Sequence, residues 1–225
     1  ALGVTMNNAN VASSSNVEFN ASSLTSAALT FNAAAETDGT YTLTAGGGDD
    51  NITLGAGADI ILFATDNLTS SDTINGGGDT DILKLTNAST VVDSDFTNIT
   101  NLETITQSTA SHGMNLTLGA LAAAAGLVTV TGGTGTNSVT IGSGYNGNLT
   151  VALAAGTDTI DGSGQTSGSL TVTAAQDSIT TADTITGGSA TDTLNITGGG
   201  TALVAADLDK VTNFGTIRTA TDAAF

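Results

Sequence analysis

Short runs in which apolar residues alternate with small polar ones recur along the chain. They are LTFNA from Leu29, TYTLTA from Thr40, LVTVT from Leu127, SVTI from Ser138, LTVAL from Leu149 and LTVT from Leu170. A period of two sorts side chains onto the two faces of a strand, and Thr, Val and Ile suit that half-buried setting. Gly, Asn, Asp and Ser cluster between the runs, where they supply turns through left-handed backbone and Asx hydrogen bonds. Strands this short, with turn signals every ~8–12 residues, predict an all-β fold. LTLGALAAAAG from Leu116 leaves two readings open, a short helix between coils or a strand with a loose turn. Residues 1–23 alternate only weakly, at Val17, Phe19 and Ala21. They predict an extended N-terminal arm, either mobile or donated as a strand to a neighbouring subunit.

Repeats select among the all-β architectures. The segment from Gly76, GGGDTDILKLTNASTVVDSDFTNITNLETI, returns from Gly187 as GGSATDTLNITGGGTALVAADLDKVTNFGTI. Asp81 matches Asp192, Leu83 matches Leu194, Ile99 matches Val211, Thr100–Asn101 match Thr212–Asn213, and Ile105 matches Ile217. Residues 72–105 thus repeat at 183–217. Three domains are expected: the arm over 1–23, a first solenoid half over 24–110 and a second over 111–225. Within them Leu127, Leu149 and Leu170 open similar strands at intervals close to the length of one solenoid coil. The predicted fold is a parallel β-solenoid, β-roll-like or β-helix-like, with a thin aliphatic core along its axis.

Composition sharpens this. Six Phe, two Tyr and no Trp leave little for a thick core, and the absence of Pro leaves every strand position free to donate a ladder N–H. Mean hydropathy is positive, so apolar surface is available for burial despite a net charge of −18. Lys84, Lys210 and Arg218 are the only Lys or Arg residues against 21 acids, which disfavours nucleic acid and anionic membranes as partners. With no Cys, disulfides and thiolate chemistry are excluded. No run of ~20 apolar residues exists, so no helical membrane insertion is expected. No basic stretch followed by an apolar one opens the sequence, so no uncleaved export signal of that kind is expected.

The carboxylates are concentrated in the turns at a spacing of nine. Asp50 and Asp59 each follow a Gly by two positions (Gly48, Gly57) and precede an aliphatic by two (Ile52, Ile61). Asp72 and Asp81 flank Gly76 and Gly77, and Asp183 and Asp192 flank Gly187 and Gly188. GGTGTNSVT from Gly132 has the same shape, with Gly133, Gly135 and Asn137 in the corresponding places.

This pattern resembles the RTX nonapeptide GGxGxDxUx of calcium-binding β-rolls. The resemblance implies Ca²⁺ at the turns, a hard ion that takes six to eight oxygens, with carbonyls exposed by Gly and one carboxylate per turn. The implied ligand set is Gly46, Gly48, Asp50, Gly57, Asp59, Asp72, Gly76, Gly77, Asp81, Gly133, Gly135, Asn137, Asp183, Gly187, Gly188 and Asp192. Asp49, Asp66 and Asp79 serve as additional candidates. In that family the ion lies between turns two nonapeptides apart, yet position 68 is Leu and position 77 is Gly. The expected array is therefore interrupted, with calcium at isolated turns. TNLETI from Thr100 and TNFGTI from Thr212 further resemble the strand endings of bacterial surface-layer proteins and large secreted adhesins. Asp222–Phe225 resembles the acidic-then-hydrophobic tails of type I secretion substrates.

The resemblance implies a secreted, calcium-binding structural protein that assembles with itself into a surface layer or extracellular filament. A calcium-stabilised adhesin or biofilm-matrix module binding cell-surface polysaccharide is the alternative, and a polysaccharide-active β-helix enzyme a more distant one. His112, the only histidine, stands in STASHGMN with no nucleophile elbow or zinc-helix motif in the chain, and is expected to be an exposed loop residue. No enzyme is expected.

Overall fold

The computed structural model describes residues 1–64, 66–109, 111–188, 191–198 and 201–219. The chain winds as a parallel β-solenoid. The first four coils supply β1 (Leu2–Thr5) and β2 (Asn16–Asn20), β3 (Leu29–Asn32) and β4 (Thr40–Thr44), β5 (Asn51–Thr53) and β6 (Ile60–Phe63), and β7 (Thr73–Asn75) and β8 (Ile82–Leu85). A changeover coil then carries three strands, β9 (Ser89–Val91), β10 (Ile99–Thr100) and β11 (Thr104–Gln107). In the next coil α1 (Ala120–Ala125) separates β12 (Met114–Leu118) from β13 (Thr129–Thr131). After these come β14 (Ser138–Ile141) and β15 (Leu149–Leu153), β16 (Thr159–Asp161) and β17 (Leu170–Ala175), and β18 (Thr184–Thr186) and β19 (Thr193–Thr197). Last are β20 (Val211–Thr212) and β21 (Thr216–Thr219).

One long sheet runs from end to end in the order β2-β4-β6-β8-β11-β13-β15-β17-β19-β21. Two shorter sheets share the opposite wall, β1-β3-β5-β7-β10 and then β9-β12-β14-β16-β18-β20. Every pairing is parallel. Register stacks like on like. Phe19, Leu43, Ile61, Leu83, Ile105, Val130, Val151, Val172, Leu194 and Ile217 form one inward file of the long sheet. Val4, Phe31, Ile52, Ile74 and Ile99 face it from the first short sheet, and Val91, Leu116, Val139, Ile160, Ile185 and Val211 from the second. The six predicted runs are all strands, because alternation buries one face of each against these files.

Two expectations are corrected. Residues 1–23 are not an arm but the first coil: β1 pairs with β3 and β2 with β4, and Val11 and Ala21 are buried. Its Asn- and Ser-rich sequence hid this, because an end coil buries only one side of each strand. The segment from Leu116 contains both readings in succession, with Leu116 and Leu118 buried in β12 before the alanines form α1.

The changeover explains that helix. A 3-10 turn over Asp93–Phe96 lets β9 found the second short sheet while β10 ends the first. Asp93 caps α1 from the preceding coil, accepting hydrogen bonds from Gly119 N (2.7 Å), Ala122 N (2.9 Å) and Leu121 N (3.3 Å). Gly126, at φ 102°, ends the helix in the left-handed region. The sequence repeat is a structural one: Val92 N donates to Asp95 Oδ2, and Val204 N donates to Asp207 Oδ2. Asn101 and Asn213 share a left-handed backbone, at φ 53° and 60°. The long sheet joins the two expected halves without a break, β11 of the first pairing directly with β13 of the second.

Candidate functional site

Each Asp of the turns stands immediately before a strand, so its side chain enters the corner between two walls of the coil. Asp50, Asp59, Asp72, Asp81, Asp158, Asp183 and Asp192 are all buried. A buried carboxylate needs donors, and here backbone N–H groups of the preceding coil supply them. Leu29 N donates to Asp50 Oδ1 (2.8 Å), and Asp50 N in turn donates to Asp72 Oδ1 (2.8 Å). At the next corner Tyr41 N donates to Asp59 Oδ1 (2.7 Å), Asp59 N to Asp81 Oδ1 (2.8 Å), and Asp81 N to Glu103 Oε2 (2.8 Å). The later coils repeat the device. Asn137 N donates to Asp158 Oδ1 (3.0 Å), Asp158 N to Asp183 Oδ1 (2.7 Å), and Leu170 N to Asp192 Oδ1 (2.8 Å). The corners are carboxylate–amide ladders that run one way along the chain.

The second oxygen usually closes the local turn. Gly46 N donates to Asp50 Oδ2, Gly55 N to Asp59 Oδ2 and Gly188 N to Asp192 Oδ2. Thr69 N and Thr180 N serve Asp72 and Asp183 in the same way. The Asn137 amide instead donates to the carbonyls of Gly133 (2.8 Å) and Gly135 (3.0 Å), so those two carbonyls already have a partner. Two carboxylate oxygens of these ladders lack a partner, Asp81 Oδ2 and Asp158 Oδ2. At Asp81 the cause is local. Gly77, at φ 106°, turns its N–H to Asn75 Oδ1, and a Cβ there would lie 1.8 Å from the Gly55 carbonyl oxygen. Asp49, Asp66 and Asp79 point outward and are exposed, while Gly48 and Gly57 pack over Ala27 and Gly39 of the coil before. Gly76 and Gly187 lie against the Asn101 and Asn213 carbonyls.

Coil length accounts for the apparent interruption. The ladder partner of Asp50 is Asp72 and that of Asp59 is Asp81, each 22 residues on. Nine residues is the step between the two corners of one coil, so Leu68 and Gly77 were never the vertical partners. Read at this period, the carboxylates fall into separate vertical ladders, Asp50–Asp72, Asp59–Asp81–Glu103 and Asp158–Asp183, which bring in Glu103 and Asp158, missed by the nine-residue pattern.

Electrostatics single out one corner. Burial pushes Asp81 up to about 7, reinforced by the charges of Asp59, Glu103 and Asp79, although the Asp59 N–H opposes it. Asp59 is pushed up to about 6, by burial first and then by Glu36, against the N–H groups of Tyr41 and Gly55. Burial also raises Asp50, Asp72 and Asp158. Among the described residues no three acidic or His side chains converge as a metal cluster. At most corners, then, the donor set fits calcium poorly: both carboxylate oxygens face N–H groups, which a cation would have to displace. The Asp81 corner fits better, with an unpartnered buried oxygen and surplus negative charge.

A second feature lies at the changeover. His112 is half-buried rather than exposed, its Nδ1 is buried without a partner, and it lines a cleft of about 610 Å³ with Asp66, Ser89, Ser111, Asn115 and Ser138. The expected secretion tail, Asp222–Phe225, lies outside the described residues.

Fold and corners together define a class, a parallel β-solenoid whose coils are clamped by buried carboxylates. No family model matches the chain, and neither does any curated protein or solved structure.

Proposed function

We propose that this chain is a structural element of an exported bacterial surface layer or extracellular filament, a rigid rod without a catalytic role. The observation that carries this is the uninterrupted ten-stranded long sheet with stacked aliphatic files and corner ladders, in which side-chain chemistry is spent on holding coils together. The test is imaging of the purified protein across a concentration series. Ordered fibres or lattices support it, and dispersed particles at every concentration defeat it.

Calcium enters this reading at the Asp81 corner, where Ca²⁺ would face the unpartnered Asp81 Oδ2. Calcium is then expected to raise the melting temperature of the parent protein by a few degrees, and Asp81→Asn to abolish that response. Melting that is identical in EGTA and in millimolar calcium removes the ion from the proposal and leaves the ladders to act alone.

The cleft beside His112 favours a second reading, an adhesin that takes a surface polysaccharide among hydroxyl and amide side chains. Retention on an immobilised neutral polysaccharide, lost in Asn115→Trp, would establish it.

A further inference from the structure

We infer that the two ends of the solenoid are complementary and that copies of this chain stack head to tail, β21 of one protomer pairing in parallel with β2 of the next. This rests on the self-assembling reading above and names its interface.

The long sheet ends in β2 on one side and β21 on the other. β21 is exposed at every residue, and β2 alternates between exposed and half-buried. The molecule itself contains a precedent for covering the β21 edge. Ile105, the repeat counterpart of Ile217, is fully buried beneath Val130 of the following coil, whereas Ile217 is 50 % exposed. Leu102 is likewise fully buried, while its counterpart Phe214 is only partly so. The same short segment is thus covered by a further coil in one place and, among the described residues, uncovered in the other.

The N-terminal end offers what the unfinished end lacks. A parallel ladder accepts a new strand in one polarity only, and β2 presents that polarity. Continuing the register places Phe19 on Ile217, Asn20 beside Arg218 and Glu18 beside Thr216. Phe19, half-buried at present, would extend the inward file by one member. The charges agree. Arg218 lies in β21 itself, whereas Glu18 in β2 is the only acid among residues 1–35. Arg218 and Glu18 would then be diagonal neighbours on the outer face. An interface of this heterologous kind does not close on itself, so it propagates as a filament. With −18 on each copy, stacking is expected to need the screening of about 0.15 M salt, where the Debye length is ~8 Å.

The chain has no Cys, so Asn20→Cys combined with Arg218→Cys in one protein tests the register directly. Within one molecule the two positions are nine strand spacings apart, ~43 Å at ~4.8 Å each, and cannot bridge. Between stacked copies their Cα atoms would lie ~4.8 Å apart, within disulfide range. Mild oxidation is expected to give a ladder of disulfide-linked oligomers on a non-reducing gel, and Asn16→Cys with Arg218→Cys to give none. Circular dichroism matching the parent confirms folding. In scattering, Arg218→Glu is expected to weaken association about tenfold, and Glu18→Arg added to it to restore association. Oligomers by scattering without the Asn20–Arg218 cross-link overturn this interface but spare self-assembly. Monomers throughout overturn both.

Discussion

At the residue scale, the corner aspartates act through hydrogen bonding more than through charge. Asp50→Ala would strand the N–H groups of Leu29 and Gly46 inside the corner. At ~1–3 kcal/mol for each buried unpaired donor, melting is expected to fall by about 5–10 °C, equally in EGTA and in calcium. A loss seen only with calcium present would contradict the ladder. The pH response has a definite sign. Asp81 and Asp59 sit at about 7 and about 6 when folded, above the unfolded carboxyl value, so the folded state holds protons more tightly. Their contribution is complete below the unfolded pKa and is lost as pH rises through 6 and 7. Lowering the pH from 8 to 5 is expected to raise the melting temperature by ~5 °C, and Asp81→Asn to flatten the profile. These residues were visible in the sequence as a nine-residue rhythm, but their partners were not. The coil length was readable from Leu127, Leu149 and Leu170 but not from the nine-residue rhythm of the aspartates, whose vertical partners follow from it.

At the scale of elements, strands were legible wherever both faces of the pattern are used, as in TYTLT and LTVAL, because burial on one side alone dictates alternation. The first coil and the changeover were not. β2 was obscured because its neighbour lies on one side only, and α1 because its cap comes from Asp93 in a different coil. The Ala run has good intrinsic propensity, yet six residues are too few to hold a helix unaided. Asp93→Ala is accordingly expected to cost about 1–2 kcal/mol and to reduce amide exchange protection first in residues 119–126. Protection lost uniformly along the chain would show that the cap is not what orders the helix.

At the scale of the molecule, stability is a sum over neighbouring coils, each contributing a similar slice of aliphatic core. Ile105→Ala, in the middle of the long file, is expected to cost about 2–5 kcal/mol, whereas Ile217→Ala at the open end should cost well under half of that in the isolated protomer. Comparable losses at the two sites, measured by denaturant unfolding, would mean that the C-terminal edge is already covered.

The placement of β2 and β21 at opposite extremes of the long sheet has a mechanical consequence. A pull applied at β1 and β2 on one side and at β20 and β21 on the other bears on the outermost strands and detaches them rung by rung instead of shearing the stack at once. A coil of 22 residues, the ladder spacing from Asp59 to Asp81, releases roughly 75 Å of contour when it straightens. Optical-tweezer traces should show a train of near-equal extensions of that size, a shock-absorbing response suited to a tether under fluctuating load. One cooperative rip would show that the coils do not yield separately.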